Sequence, residues 1–234
     1  MADVKEEAIL GPAIRYHWYY LSKAQALIGL LRSPHHASLD IGAGSGFFSR
    51  TLVARGLVQE ATCVDPGYVE TKRTETITGR PITFVQHPGN RQADLVLMMD
   101  VLEHVDHDLA LLREYVVRSS SGTVFIITVP AFMALWSQHD VFLEHKRRYT
   151  LRQLEKVVVA SGLEITGGCY YFALIFPLVA VIRRFTRGQA RASSLKKHTP
   201  FINGVLRMVC FLELTFYRFN RLGGLTVFCV ARKP

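Results

Sequence analysis

The sequence predicts an α/β fold: a mostly parallel sheet with helices on both faces and a helical insertion between the last two strands. Short apolar, β-branched runs alternate with helical stretches along the chain, which is typical of parallel strands joined by crossover helices. A glycine-rich turn at residues 42–46 joins the first strand to a helix. About fifty residues separate the last two strands, which is more than a loop normally needs.

Seven strands are predicted in chain order, at residues 38–41, 61–64, 82–85, 94–99, 123–129, 163–171 and 225–231. Helices are predicted at residues 14–31, 47–55, 103–118 and 151–160. The last of these should begin at a capping box, because Thr150 is followed three residues later by Gln153. We therefore expect a core at residues 1–171, an insertion at 172–222 and a final core strand at 223–234.

The composition suits one compact domain with an elaboration, because the chain has 234 residues of which 49% are hydrophobic. The cysteines are Cys63, Cys169, Cys210 and Cys229. They form no Cys-x-x-Cys pair, so we predict buried free thiols and neither a zinc site nor a disulfide framework. Residues 1–10 carry four charged side chains and no apolar segment, so no secretory signal is expected and the predicted location is the cytoplasm.

Positive charge is concentrated near the end of the chain. Residues 172–234 contain eleven Lys or Arg and one acid, Glu213, which leaves 17 basic and 18 acidic residues in the rest. The basic residues flank apolar runs at 172–182 and 201–222, a combination that fits an anionic membrane surface better than nucleic acid. Neither run reaches about 18 uncharged apolar residues, so no membrane span is expected. A cap over a substrate pocket and a homodimer interface are the alternatives.

The residues that follow the predicted strands should line a ligand site, because ligands bind at the carboxyl ends of parallel strands. Asp65 follows the second strand, where a carboxylate can accept hydrogen bonds from two ribose hydroxyls, and Asp100 follows the fourth. The turn has the spacing Gly42-x-Gly44-x-Gly46 rather than the Gly-x-Gly-x-x-Gly of dinucleotide-binding proteins. This spacing favours S-adenosylmethionine over NAD.

Residues 39–46 (Leu-Asp-Ile-Gly-Ala-Gly-Ser-Gly) resemble the first motif of class I S-adenosylmethionine-dependent methyltransferases. Residues 100–105 (Asp-Val-Leu-Glu-His-Val) resemble a segment of the subgroup that contains the ubiquinone-biosynthesis O-methyltransferases. The resemblance spans residues 15–164 and implies a Rossmann-like seven-stranded sheet with one antiparallel strand. It implies that the cofactor is bound by Tyr16, Trp18, Asp40, Gly42, Ala43, Gly44, Asp65, Pro66, Gln86, His87 and Asp100.

A second dense group of polar and aromatic residues, at 135–149, follows the fifth predicted strand. It resembles a Trp-Ser-x-His-Asp stretch with a later His-x-Arg-Arg-Tyr that occurs in a bacterial methyltransferase subgroup. A histidine can accept the proton of an attacking hydroxyl or amine, and paired arginines can bind a carboxylate or phosphate. The predicted catalytic residues are His104, His139 and His145, and the predicted acceptor-binding residues are Trp136, Arg147, Arg148 and Tyr149. The alternative is a solvated loop whose histidines bind backbone groups.

The resemblance also implies a metal site that we do not expect to be used here. In the ubiquinone-pathway enzymes, the positions of Asp100, Glu103 and His104 have been taken to hold a divalent ion. Methyl transfer to an activated oxygen or nitrogen needs no metal, and Glu103 suits a helix N-terminus for electrostatic reasons. We therefore predict no metal.

The predicted function is S-adenosylmethionine-dependent methyl transfer to an oxygen or nitrogen of a small, apolar or lipid-linked acceptor. Two alternatives remain open: a membrane-associated protein of the same fold without catalysis, and an enzyme that acts on RNA. The chain has Asp100-Val101-Leu102-Glu103 where base N-methyltransferases have an Asn-Pro-Pro-Tyr-like motif, which counts against base N-methylation.

Overall fold

The computed structural model describes residues 10–185 and 199–234. Within them, eight strands form one sheet in the order β3-β4-β2-β1-β5-β6-β8-β7. The strands are His35–Ile41 (β1), Val58–Val64 (β2), Lys72–Ile77 (β3), Arg80–Val85 (β4), Leu95–Met99 (β5), Val124–Pro130 (β6), Glu164–Tyr171 (β7) and Thr226–Arg232 (β8). The chain order reverses at β1, which lies between β2 and β5, and such a switch point is where α/β sheets bind ligands.

The sheet is mostly parallel, as predicted, but it has one strand more than the seven expected. β1, β2, β4, β5 and β6 are parallel, whereas β8 is antiparallel to both of its neighbours. The unpredicted strand is β3, which pairs antiparallel with β4 at the sheet edge. Its sequence, Lys-Arg-Thr-Glu-Thr-Ile, is polar because an edge strand lies largely in solvent. Thr78 and Gly79, both at positive φ, form the tight turn between β3 and β4.

Seven α-helices occur in the described residues: Trp18–Leu30 (α1), Phe47–Ala54 (α2), Asp108–Arg118 (α3), Gln138–Phe142 (α4), Leu151–Ala160 (α5), Phe176–Phe185 (α6) and Pro200–Glu213 (α7). The predicted helix 14–31 is interrupted at His17, which is extended between a 3-10 turn and α1. The predicted helix 103–118 is wrong at its start. Leu102–His104 is a single 3-10 turn, and the Glu103 carbonyl accepts from Lys146 N instead of from a helical neighbour (2.8 Å).

The two faces of the sheet bury separate hydrophobic clusters. On one face, Leu27 of α1 and Leu52 of α2 pack with Phe84 and Phe228. On the other face, side chains of α3 and α5 pack against β5, β6 and β8. All four cysteines are buried free thiols, as predicted. Neither face needs a disulfide because each has its own apolar cluster.

The chain between β7 and β8 adds α6 and α7, and α7 packs against α1. The Tyr217 hydroxyl donates to Ala26 O (2.7 Å), and Asn203 Oδ1 accepts from Trp18 N (2.7 Å). The predicted helix 201–222 stops at Glu213 and is followed by a short 3-10 turn that turns Tyr217 inward. The basic residues between the two apolar runs, Arg187, Arg191, Lys196 and Lys197, lie outside the described residues. No helix within the described ranges is long and apolar enough to cross a membrane.

Candidate active site

The glycine turn lies between β1 and α2, and its backbone requires glycine. Gly42, Gly44 and Gly46 have φ values of 66°, 50° and 72°, which disfavour any residue with a Cβ. A Cβ at Gly42 would lie 2.8 Å from Val101, and one at Gly46 would lie 2.7 Å from Phe84. The turn is held to β2 because the N–H groups of Gly42 and Ala43 donate to Val64 O at 2.8 and 3.2 Å.

Asp65 lies buried against the glycine turn. Its Oδ2 accepts from Gly44 N (3.1 Å), and its Oδ1 accepts from Gly67 N (2.8 Å). Tyr68 covers this region, since its hydroxyl donates to Gly44 O (2.7 Å) and its carbonyl accepts from Gln86 Nε2 (2.7 Å). In this conformation Tyr68 must move before a ligand hydroxyl can reach the Asp65 carboxylate. Pro66 and His87 are exposed beside it.

Asp40 lies beneath the turn rather than at the open rim. It is 1% exposed and accepts a hydrogen bond from the Ser49 hydroxyl (2.8 Å). Burial raises the pKa of Asp40 to about 7, and the Ser49 bond opposes only part of that rise. Near neutral pH this carboxyl group is therefore poised between its neutral and ionised forms.

Asp100, at the end of β5, is 26% exposed and forms an ion pair with the buried Lys23 of α1. The Thr128 hydroxyl also donates to Asp100 Oδ1 (3.0 Å), and the Tyr19 hydroxyl lies 3.4 Å from Oδ2. Burial acts to raise the pKa of Asp100, but Lys23 and Thr128 outweigh it and hold that pKa below its usual value. Sequence reasoning missed Lys23. Tyr19 and Lys23 are four residues apart on a predicted helix, which places them on one face. However, Asp100, the partner of Lys23, lies 77 residues away in the sequence.

The two N-terminal aromatic residues predicted to bind the cofactor are placed differently. Tyr16 is 72% exposed, whereas Trp18 packs edge-on against Phe172 at 5.7 Å between ring centroids. The Trp18 Nε1 atom is buried and has no hydrogen-bond partner within the described part of the chain. The buried Ser45 hydroxyl in the glycine turn also lacks one there.

Residues 135–149 contain the predicted acceptor-binding residues and are called the acceptor patch below. Asp140 lies at the centre of this patch, and sequence reasoning did not single it out. Its fully buried carboxylate accepts from Arg148 Nε (2.6 Å) and Ser137 N (2.8 Å), and it pairs with His145 Nδ1 (2.9 Å). Burial acts to raise the pKa of Asp140, but the bonds from His145 and Arg148 hold it well below its usual range. An ionised Asp140 fixes the His145 proton on Nδ1 and leaves Nε2 as a proton acceptor.

The His145 ring faces His104 and Glu103. The two imidazole centroids are 4.6 Å apart, and candidate ligand atoms of all three residues lie within 4.8 Å of one another. Within residues 10–185 and 199–234, no hydrogen-bond partner exists for either Nε2 atom or for the Glu103 carboxyl group. Burial, and next the Asp100 charge, raise the pKa of Glu103 well above its usual value. The three side chains form a chelating group of the size that holds a cation, so the expected absence of a metal stays a prediction.

The other two predicted bases are desolvated. Burial lowers the pKa of His104 to about 4, with the nearby His145 as a second cause. Burial also lowers the pKa of His139 to about 4, with Arg183 as a second cause. Both imidazoles are therefore neutral at physiological pH.

The four predicted acceptor-binding residues differ in their surroundings, and the two arginines contact different protein groups. Arg147 donates to Val105 O (3.1 Å), whereas Arg148 is buried and donates to Asp140 and to Ala131 O (2.9 Å). Tyr149 donates to Asp108 Oδ2 (2.8 Å), and Trp136 is half-buried. Their role in binding an acceptor stays a prediction.

The methyltransferase domain family matches residues 17–167, a span that contains both the glycine turn and the acceptor patch. The chain belongs to the methyltransferase domain family. A comparison with curated protein sequences gives no match. The finer resemblance of residues 100–105 to the ubiquinone-pathway subgroup stays a prediction.

Solved structures share the fold of this methyltransferase-family chain. An S-adenosylmethionine-dependent methyltransferase of Thermotoga maritima is 16% identical, with a TM-score of 0.60, and the match covers 99% of this chain and 96% of that one. One from Archaeoglobus fulgidus is 15% identical, with a TM-score of 0.55 and 97% coverage of both chains. An N-methyltransferase of Haemonchus contortus, in complex with phosphomonomethylethanolamine and S-adenosylhomocysteine, is 16% identical, with a TM-score of 0.50, and the match covers 90% of this chain and 53% of that one.

Proposed function

We propose that this methyltransferase-family protein transfers the methyl group of S-adenosylmethionine to an oxygen or nitrogen of a small, apolar or lipid-linked acceptor. The observation that carries the proposal is a set of buried polar atoms without hydrogen-bond partners among the described residues, and three of the residues with such atoms follow the carboxyl ends of β1 and β5. These atoms belong to Trp18, Ser45, Glu103, His104 and His145. Such atoms are costly when nothing binds them, so bound ligands are their expected partners.

The residues around the glycine turn suit the cofactor chemically. The Asp65 carboxylate can accept hydrogen bonds from ribose hydroxyls once Tyr68 moves away, and its position after β2 is the one this role requires. The Ser45 hydroxyl is a further polar group in the same turn. When bound, S-adenosylmethionine supplies an already reactive methyl donor, so the protein mainly has to align the acceptor and remove a proton.

His145 is the base that the geometry favours. Its Nδ1–H bond to Asp140 leaves Nε2 free to accept the proton of an acceptor hydroxyl or amine. Burial raises the pKa of Glu103, which favours the protonated form of that carboxyl group, and in that form it can donate a hydrogen bond to the acceptor from the same cluster. The lowered pKa of His104 keeps its imidazole neutral, and this side chain is a further polar group beside them.

An apolar or lipid-linked acceptor is supported by the aromatic residues between the sheet and the insertion. Phe132 follows β6, stacks on Tyr170 at 5.1 Å and packs against Phe176 of α6 at 5.6 Å. On the cofactor side, Phe172 stacks on Tyr19 at 5.2 Å. Phe132 and Phe176 are both partly exposed and provide contact area for an apolar group beside the end of β6.

Cofactor binding can be tested by calorimetry with S-adenosylhomocysteine. The wild type should bind, and Asp65→Asn should weaken binding at least about tenfold, because a carboxylate that accepts two hydrogen bonds is replaced by a group that accepts fewer. The matched control is Asp94→Asn. Asp94 also accepts backbone N–H bonds, from Ala37 (2.8 Å) and His36 (3.1 Å), but it lies just before β5, at the amino end of the strand. A wild type that does not bind would refute the proposal.

The base can be tested by turnover. Incubation of a cell extract of the source organism with labelled S-adenosylmethionine, followed by mass spectrometry, identifies the methylated product. With that acceptor, His145→Gln should lower turnover about 10²–10⁴-fold without changing the affinity for S-adenosylhomocysteine, because a positioned base contributes on that order. The control His139→Gln should have a much smaller effect.

The same assay tests the expectation of no metal. Removal of divalent ions with a chelator should leave turnover unchanged. A loss that added Mg²⁺ or Zn²⁺ restores would mean that Glu103, His104 and His145 hold a metal ion, and it would contradict the proposed role of His145.

A further inference from the structure

Two helices of the insertion leave apolar side chains in solvent at helical spacing. Leu174, just before α6, and Leu178, Val181 and Phe185 within it are all exposed, and Phe185 is 79% exposed. Their separations of four, three and four residues place them on one face of the helix. The opposite side of α6 approaches the acceptor patch, where Arg183 donates to Leu135 O and lies near Asp140.

The outer face of α7 has the same character. Phe201, Val205, Met208 and Leu212 are exposed at the same spacing, and Phe201 is 79% exposed. The apolar surface continues beyond the helix, where Phe219 and Leu222 are 85% and 95% exposed. The inner face is already used, because Cys210 and Tyr217 are buried against the core. Exposed apolar side chains at helical spacing on two helices indicate a binding surface.

The charges of the insertion distinguish between occupants of this surface. Residues 172–222 contain nine Lys or Arg and a single acid, Glu213. Glu213 is buried and accepts from the backbone N–H groups of Ala173 (2.8 Å) and Leu174 (3.3 Å). Arg184, Arg207 and Arg218 are exposed. No acidic side chain of the insertion's described residues therefore reaches solvent.

This one-sided charge argues against a second copy of the chain. Two such surfaces in contact would bring the exposed Arg184, Arg207 and Arg218 of both copies together, with no exposed acid of the described insertion to pair with them. An anionic bilayer accommodates both features, because apolar side chains enter the boundary of the acyl chains while basic residues attract the lipid headgroups.

We infer that the outer face of α6 and α7 binds the surface of an anionic lipid bilayer. The Glu213 bonds join the start of α6 to α7, and the Asn203 and Tyr217 bonds hold α7 on the core. The binding surface is therefore a fixed part of the molecule next to the acceptor patch. The inference goes beyond methyl transfer and does not depend on it, because binding to lipid needs neither cofactor nor acceptor.

The test is flotation of the full-length protein with vesicles of phosphatidylcholine alone or mixed with phosphatidylglycerol. The protein should float with the mixed vesicles, float much less with phosphatidylcholine alone, and be released by high salt. Phe185→Ser and Phe201→Ser should each lower the partition coefficient about tenfold, because each removes a large apolar group from the bilayer boundary. Both side chains are exposed, so neither change should unfold the protein.

Matched controls lie on other helices. Val117→Ser, at an exposed valine of α3, should leave vesicle binding unchanged. Arg207→Glu should weaken binding to the mixed vesicles, whereas Arg152→Glu, on the exposed side of α5, should not. Absence of binding to the mixed vesicles, or equal binding by the Phe201→Ser variant, would overturn the inference. A stable dimer in lipid-free solution that Phe201→Ser dissociates would also overturn it and assign the surface to a second copy.

Discussion

At the scale of single residues, burial decides the protonation state of the site's carboxyl groups. Asp40 and Glu103 are both buried without a cation bonded to them, and burial raises the pKa of each. Asp100 and Asp140 are bonded to Lys23 and to Arg148, and their pKa values are lowered despite burial. The site therefore combines carboxyl groups whose pKa is raised with carboxyl groups whose pKa is lowered.

Asp40→Asn should show a pH-dependent gain in stability. The unfolded chain releases the Asp40 proton near pH 3.8, whereas the folded protein keeps it until about pH 7. The free energy of unfolding of the wild type therefore falls as pH rises across this interval and is level above it. The variant lacks this loss, so its advantage should grow between these pH values towards a ceiling of about 4 kcal/mol. Urea unfolding at several pH values measures it.

Asp94→Asn is the control of opposite sign. Burial acts to raise the pKa of Asp94, but the N–H groups of Ala37 and His36 outweigh it and lower that pKa. Ionised Asp94 therefore stabilises the fold above pH 4, roughly its unfolded pKa, and the Asn variant should be the less stable protein at neutral pH. An Asp40→Asn profile parallel to the wild type would show that the Asp40 carboxyl group is not desolvated.

At the scale of elements, the start of a helix can be predicted from sequence when the residues that cap it are only three positions apart. Thr150 and Gln153 form the predicted capping box: Thr150 Oγ1 accepts from Gln153 N (3.2 Å), and Gln153 Oε1 accepts from Thr150 N (2.8 Å). The edge strand β3 shows the opposite case. It is polar and lacks an apolar run, and Arg50 of α2 holds it through two bonds to Glu75 at 2.6 and 3.0 Å. That partner lies 25 residues away and cannot be read locally.

Thr150→Ala should lower the free energy of unfolding by about 1 kcal/mol, because it leaves an N–H group at the start of α5 without its acceptor. Thr150→Ser keeps the hydroxyl and should change stability by only a few tenths of that amount. Urea unfolding of the two variants checks the prediction. Equal losses would mean that the methyl group, not the cap, stabilises this end of the helix.

At the scale of the whole molecule, the insertion is part of the fold because α7 and the turn after it pack against α1. The Tyr217 ring is buried against α1, and its hydroxyl reaches Ala26 O. This contact needs a glycine at position 29, since a Cβ there would lie 2.5 Å from the Tyr217 hydroxyl oxygen. The position of α1, which carries the Lys23 that pairs with Asp100, therefore depends on contacts with a segment that is remote in sequence.

Gly29→Ala and Gly204→Ala should therefore have opposite effects, although both residues lie inside helices. At Gly204 a Cβ meets no described atom within 4 Å, so alanine should raise the free energy of unfolding by about 1 kcal/mol through helix propensity. At Gly29 the displacement of Tyr217 should reverse this gain and destabilise the protein by about 1–3 kcal/mol. Thermal or urea unfolding compares the two. Stabilisation by Gly29→Ala would mean that Tyr217 is not held against α1.

The sequence by itself determined the class of fold, the glycine turn, the position of Asp65 after β2, the free cysteines and the start of α5. Each rests on a local pattern: periodicity, a turn that only glycine can adopt, or a cap three residues long. Only the tertiary structure decided that Lys23 neutralises Asp100, that Asp140 orients His145, and that the acidic residue of the insertion is buried. These are contacts between distant segments, and whether a charged side chain is paired, buried or exposed depends on which segments the fold brings together.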